Sequence, residues 1–346
     1  MSKVLCFGEL LLRFSPSAQG EWLSNNQMPV FVGGAELNVA TALSTWGVPV
    51  KYCTAVPDHS VSRDILSYLE KRKIDTSPIL FSGDRLGLYF LSAGSDMKSA
   101  ATIFDRKNSS FATLATGQLK WDSILEDVSW FHFSAIAPGL SRSAAALCKE
   151  ALEAASKKNI PISVDLNYRP LLWKYGCQAQ EIMPVLVKYC DVVMGNLWSA
   201  NTLLGIPLET SLQENSTLEK YIAHATATAA AIMSINPKCK FVANTFRFHE
   251  NHEAVKYYAT LNTAQGQTIS PTFHTQQVVE KVGSGDCFMA GLIYGIINKH
   301  PLSNIISFAA AAAFGKLHEK GDTTNNSINS IQHIISKHSL QKNSIS

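Results

Sequence analysis

Short runs of β-branched and aromatic residues alternate along this chain with longer stretches whose apolar residues recur every three or four positions. Val4–Phe7, Val50–Val56, Trp130–Ser134, Ile162–Leu166, Val192–Gly195 and Phe241–Thr245 predict strands. Ala35–Trp46, closed by Gly47 and Pro49, and Ser141–Lys157 predict helices between them. Repeated strand-then-helix order predicts an α/β fold, a doubly wound, mostly parallel sheet with helices on both faces. Two segments, 11–34 and 86–111, break the rhythm. They hold strand-like pieces (Leu88–Leu91, Thr102–Phe104) with no helix between them. Together they form either a small antiparallel sheet hanging off the main one or two long loops. The first choice divides the chain into a core of 1–10, 35–85 and 112–340 and a small β-sheet lid of 11–34 and 86–111.

After Pro301 the alanine run Ala309–Ala313 sits in a helical context and predicts a tightly packed buried helix. Beyond Asn325, Ile328, Ile331, Ile334 and Ile335 fall at helical spacing and predict a short docked helix, with the last few residues unstructured. No internal repeat or low-complexity linker is present.

Composition narrows the class. Apolar residues make up 46% and charged residues 16% of 346, which excludes intrinsic disorder for the bulk. The charge of +3 comes from 30 Lys+Arg against 27 Asp+Glu with no long like-charged run, so there is no nucleic-acid footprint. The longest apolar stretch, Ile305–Phe314, is far short of the roughly 18–20 residues that span a bilayer. Glu9 and Arg13 interrupt the first apolar run, unlike a secretory signal, and a cytoplasmic location is expected. Seven scattered cysteines with no C-x-x-C spacing predict reduced, buried thiols.

The most informative run is Glu280-Lys281-Val282-Gly283-Ser284-Gly285-Asp286, which opens a helix ending near Lys299. Phe288, Leu292, Ile293 and Ile296 share one apolar face, so its N-terminus is fixed by packing. Backbone N–H groups left bare by two glycines, at the positive end of a helix, hold an anion or stabilise charge on a phosphoryl group in transfer. Gly283, Ser284 and Gly285 thus supply an anion hole, and Asp286 a carboxylate suited to take a proton from an attacking hydroxyl. Alternatively Asp286 only stabilises its own first turn. The run is neither a Walker loop nor a dinucleotide fingerprint, lacking the Gly-Lys-Ser/Thr end and the third glycine. A second pair, Gly33-Gly34, leads into the helix bearing Asn38. There the backbone is open to a ligand's hydroxyls and the amide can both donate and accept; equally, Asn38 can tie helix to strand.

Taken together, these two runs resemble the ribokinase-like sugar kinases, the PfkB carbohydrate kinase family, and the resemblance extends from Phe7-Gly8-Glu9 to Gly321-Asp322. It implies a doubly wound core with a β lid, Asp286 as general base, and ATP with Mg²⁺ near Asn196, Thr245, Gly283 and Gly285. A monovalent cation is a further candidate. Three departures stand out: Glu280-Lys281 for Asp-Thr, Ser199 for the Glu of Asn-x-x-Glu (Asn196–Ser199), and Thr245-Phe246-Arg247 for Thr-x-Gly. No metal ligand set is evident, and His249 with His252 makes half of one at most.

An acidic sugar needs fixed positive charge, which the planar fork of arginine supplies best. Arg169, in Asp165-x-Asn167-x-Arg169-Pro170, follows a strand end where open α/β sheets bind ligands. Arg106 ends Thr102–Arg106 in the proposed lid; for each arginine the alternative is an ordinary ion pair. Gly8-Glu9 through Arg13, Gly87-x-Tyr89, Asp105-Arg106 and Asp165-x-Asn167-x-Arg169-Pro170 resemble the 2-keto-3-deoxygluconate kinase subfamily, with Phe104 where Tyr is frequent. That resemblance implies that Gly33, Gly34, Asn38, Tyr89, Arg106 and Arg169 hold a sugar acid whose terminal hydroxyl is phosphorylated. The alternatives are a fructokinase or other neutral-sugar kinase, and a sugar-binding paralogue with weak catalysis, which the loss of the carboxylate at Ser199 keeps open. Open lid edges imply a homo-oligomer formed through the lid. No nucleic-acid or membrane partner is implied.

Overall fold

The structure, a computed structural model, describes residues 2–16, 27–92, 102–209, 212, 217–249 and 254–343, with side chains described as far as His338. The chain opens with strands β1 (Lys3–Phe7), β2 (Leu11–Phe14) and β3 (Val30–Gly33), helix α1 (Ala35–Thr45), strands β4 (Val50–Cys53) and β5 (Ala55–Val56), and helix α2 (Ser60–Lys71). Four short strands follow, β6 (Ile74–Asp75), β7 (Leu80–Phe81), β8 (Gly87–Phe90) and β9 (Ile103–Asp105). Strand and helix then alternate through α3 (Trp121–Ile124), β10 (Val128–Ser134), α4 (Arg142–Lys157), β11 (Ile162–Asp165), α5 (Ala179–Val187), β12 (Val192–Gly195), α6 (Leu197–Leu204) and α7 (Leu218–Ile235). The chain closes with β13 (Phe241–His249), β14 (Val255–Thr263), β15 (Gly266–Ile269), β16 (Phe273–Thr275), α8 (Ser284–Ile297), α9 (Leu302–Lys316) and α10 (Ile328–Asn343).

The near-continuous burial of β1, β4, β11 and β12 belongs to strands covered on both faces. They lie in one ten-stranded sheet, ordered β15-β14-β13-β12-β11-β10-β1-β4-β6 with β16 also on β14. Every pairing from β13 to β6 is parallel. One face is covered by α1, α2, α8, α9 and α10, and the other by α3 to α7. Helix α4 shows how the pattern becomes packing: Ala144, Leu147, Cys148, Ala151, Leu152 and Ala155 are buried at helical spacing, and Ser141 caps the first turn by accepting from Ala144 N at 3.0 Å. Among the described residues no helix is long and apolar enough to cross a membrane.

Three readings of the pattern are corrected. Val50–Val56 is two strands, because the chain leaves the main sheet at Thr54 and β5 pairs with β7 in a separate two-stranded sheet. The small sheet, ordered β3-β2-β8-β9, is mixed rather than antiparallel: β2 and β8, contributed by the two separate segments, run parallel. Phe241–Thr245 extends to His249 and pairs antiparallel with β14, which in turn carries β15 and β16. That addition had no clear alternation, because β14 buries residues on both faces, Tyr257, Ala259 and Leu261 in one core cluster and Tyr258 in another. The alanine run lies fully buried in α9, and α10 docks through Ile331.

Candidate active site

Helix α8 begins at Gly283, whose φ of 78° is left-handed and whose missing Cβ leaves room for the Asp322 carbonyl oxygen. Glycine is obligatory there on both counts. A Cβ on Gly285, in contrast, would meet only the Met194 methyl at 3.9 Å, so the helix backbone stands open at that point. The Ser284 hydroxyl turns inward and donates to the Ala313 carbonyl at 2.9 Å. The serine side chain thus leaves the Gly283–Asp286 turn unobstructed. Phe288, Leu292 and Ile293 are buried, and α9 packs so closely on α8 that a Cβ on Gly291 would lie 2.6 Å from the Ala309 Cα and one on Gly295 2.9 Å from Ile305.

Asp286, in the first turn of α8, is buried and accepts from Asn38 Nδ2 at 2.6 Å. Asn38 lies one turn into α1, where its own N–H donates to the Gly34 carbonyl. Gly34, with φ 141°, sits against the Glu9 carbonyl, and Gly33 against the Asp322 carboxylate. Burial pushes the Asp286 carboxyl up to about 7, against the opposing pull of Asn38 and Arg169. Asp165, at the end of β11, is pushed up to about 8 by burial and by the nearby Asp286 charge. A buried carboxyl that ionises near neutrality is matched to proton abstraction at physiological pH.

Two cavities meet at Asp286. A cleft of about 350 Å³ is lined by Asn196, Thr245, Arg247, Lys281 and Gly285 among others. Adjoining it, a small pocket of about 30 Å³ is lined by Gly34, Asn38, Tyr89, Arg106 and Asp322. Asp286 and Arg169 line both. Of the residues expected to act in catalysis or in binding sugar or nucleotide, all line one of these cavities except Gly33. Asn196 caps α6 by accepting from Ser199 N at 2.8 Å, and Ser199 also faces the cleft. Arg106 is buried and paired with Glu9, which the Ser109 hydroxyl also reaches. Tyr89 donates to the Asp322 carboxylate.

Glu280 points away from the cleft, onto Arg13. Lys281 Nζ lies 3.3 Å from His249 Nε2. His252 falls outside the described residues, and among those described no group of three or more His, Cys, Asp or Glu side chains is placed to hold a metal. The sequence reading passed over Asp165, Glu9, Arg13 and Asp322 as site residues. All four carried a signal, since each belongs to a run quoted for the resemblance; what the runs do not show is that Glu9 and Arg13 are tied to partners distant in sequence, Arg106 and Glu280.

Comparisons with known proteins agree with this geometry. The chain superimposes on the crystal structure of 2-dehydro-3-deoxygluconokinase from Thermotoga maritima with a TM-score of 0.87 and 29% identity, covering 97% of this chain and 98% of that one. It is 25% identical over 289 residues to a 5-dehydro-2-deoxygluconokinase of Geobacillus thermodenitrificans (82% of this chain, 77% of the relative). Over 327 residues it is 24% identical to a 2-dehydro-3-deoxygalactonokinase of Haloferax volcanii (93% and 92%). The family model described as pfkB family carbohydrate kinase matches residues 1–329. Nearly the whole chain is covered by that match, the Gly283–Asp286 turn included, and the chain therefore belongs to the pfkB family of carbohydrate kinases and is an ATP-dependent sugar kinase.

Proposed function

We propose that the substrate is a keto-deoxy sugar acid, 2-keto-3-deoxygluconate, phosphorylated on its terminal hydroxyl to 2-keto-3-deoxy-6-phosphogluconate. The observation that carries this reading is Arg169, an arginine that lines both cavities beside Asp286. It gives a substrate carboxylate a bidentate partner. The similar kinases from Thermotoga, Geobacillus and Haloferax, all named for keto-deoxy sugar acids, support it.

In this reading the sugar lies in the small pocket, under the small sheet acting as a lid, with Gly34, Asn38 and Tyr89 against its hydroxyls. Its terminal hydroxyl gives a proton to Asp286 as the oxygen attacks the γ-phosphorus of ATP; the bond to the bridging oxygen breaks and ADP leaves. The backbone N–H groups of Ser284 and Gly285 stabilise the charge on the transferring group. ATP fits the larger cleft, where the open backbone at Gly285 leaves space for phosphates and Lys281 and Arg247 bring positive charge. Magnesium neutralises phosphate charge when bound, and the donor set suits an ion carried by the nucleotide rather than a protein cage. We place a second copy of the chain on the small sheet, whose edge strands expose Val30 and Ile103; sedimentation of wild type against Ile103→Glu tests it, and an unchanged assembly state overturns it.

One observation favours a neutral-sugar substrate instead: the Arg106 charge is already answered by Glu9. An ATP-consumption screen over sugar acids, fructose and ribose separates the two. The expected result is the highest kcat/KM for 2-keto-3-deoxygluconate; faster turnover of a neutral sugar moves the assignment to the alternative.

A further inference from the structure

Arg13 lies on β2 of the small sheet and is completely buried. Its Nη1 donates to Glu280, its Nε makes a charge contact with Asp322 Oδ1 at 2.8 Å, and its guanidinium sits over the Phe31 ring, 4.3 Å from the centroid. Among the described residues Nη2 has no hydrogen-bond partner. A partly satisfied buried ion cluster is a poor way to gain stability, since apolar side chains of similar volume commonly do as well or better.

What the cluster does connect is the small sheet and the anion-binding turn. Glu280 is three residues before Gly283, and its second oxygen accepts from the Gly321 N–H at 2.7 Å. Asp322, next in the chain, packs its carbonyl under Gly283 while its carboxylate accepts from Tyr89 on β8. Both partners of Arg13 therefore bear on the backbone that fixes the start of α8. Neither Arg13 nor Glu280 lines the cleft or the pocket.

We propose that Arg13 is a positioning residue for phosphoryl transfer. Through Glu280 and Asp322 it sets the orientation of the Gly283–Asp286 turn, and it does so only while the small sheet is seated over the pocket. The inference rests on the phosphoryl-transfer reading of the site, but not on which sugar is phosphorylated. Displaced turn amides lose interactions made in the transition state, so the loss falls on kcat rather than on ground-state binding.

The test uses Arg13→Lys and Glu280→Gln in the full chain. Each is assayed with whichever sugar the wild type turns over best, alongside thermal melting. For both variants kcat is expected to fall about ten- to a hundredfold, the scale of a misplacement near 1 Å, with KM for sugar and ATP within about threefold of wild type. A rise in sugar KM at unchanged kcat overturns the proposal, because the cluster then only holds the small sheet down. So does a lowered melting temperature with unaltered kinetics. The pair Arg13→Met with Glu280→Gln removes both charges while keeping bulk; recovery of kcat in that double variant also overturns it. If Arg13→Lys does not fold, Glu280→Gln carries the same decision. A wild type that prefers a neutral sugar sinks the substrate assignment and leaves this comparison intact.

Discussion

On the side of Asp286 that faces Asn196 and Thr245 the site widens into a cleft of about 350 Å³, whereas on the side facing the small sheet it narrows to a pocket of about 30 Å³. The wider side presents the bare backbone of Gly285 beside the cations Lys281, 3.3 Å from His249 Nε2, and Arg247. The narrower side holds charges already matched within the protein, Arg106 with Glu9 and Tyr89 with Asp322. The contrast teaches how substitutions in the two halves should read out. Where no neighbour is crowded, as at Gly285, a change weakens a ligand and leaves the fold alone; where a side chain answers a buried charge, as Arg106 answers Glu9, a change strands that partner and costs stability as well.

The largest expected effect lies at the junction. Asp286→Asn keeps the shape and removes the base, and kcat is expected to fall about 10²- to 10⁴-fold while substrate binding persists. Near-normal turnover in that variant means the carboxylate merely stabilises its helix. Next is Arg169→Ala, which touches both cavities. Loss of charge-assisted hydrogen bonds of about 1.5–3 kcal/mol is expected to raise sugar KM about ten- to a hundredfold. Arg169→Lys should already weaken binding, since a point charge lacks the fork; wild-type KM in both variants removes Arg169 from recognition.

Arg106→Ala tests the narrower side. It leaves Glu9 buried without its cation, a defect on the order of 3–5 kcal/mol, so melting temperature is expected to drop. Comparing 2-keto-3-deoxygluconate with its carboxylate-free analogue on this one variant then decides the second role. Lost preference for the acid marks Arg106 as a reader of the carboxylate, and equal slowing of both marks it as a brace for the pocket wall. On the wider side, Gly285→Ala is expected to raise ATP KM severalfold without loss of stability, because alanine favours a helix by about 1 kcal/mol and no neighbour is crowded. Gly283→Ala, which meets the Asp322 carbonyl, should instead lower the melting temperature; similar behaviour of the two variants would erase the distinction.

The smallest effect is in the pH dependence. Burial lifts Asp286 to about 7, so kcat/KM is expected to rise as pH increases through that value and the base ionises. Stability moves the other way. A carboxyl whose folded pKa is raised contributes fully in acid, and that contribution is lost as pH climbs from the ordinary carboxylate range through about 7. Asp165, at about 8, extends the loss upward. Activity and melting temperature recorded across pH 5–9, a range that brackets both ionisations, should therefore cross; parallel profiles would contradict this picture.

The turn at Gly283–Asp286 was legible in the sequence because its constraints are local: a left-handed φ, a close carbonyl and a bare helix end each demand particular residues in a row. The parallel strands were legible because burial on both faces writes continuous apolar runs. Pairings between distant segments left no such mark. Arg106 finds Glu9 across 97 residues, and Arg13 finds Glu280 across 267, so the ion pair that the sequence leaves as one of two alternatives for Arg106 is realised with a partner the segment itself does not name. The parallel register of β2 on β8, and the β14–β16 addition with its two buried faces, were hidden for the same reason: what sets them is a partner elsewhere in the chain, not a period within the segment.

Gly291 and Gly295 let α8 lie against Ala309 and Ile305 with almost no side-chain layer between the two helices. Such a joint has no slack, and the turn that starts α8 is anchored to α9 along most of its length. The chemistry sits on an anvil while the fitting of the substrate is left to the thinner, separately built sheet. Retooling the second for a new sugar would have to spare Arg13, the tie by which it holds the first.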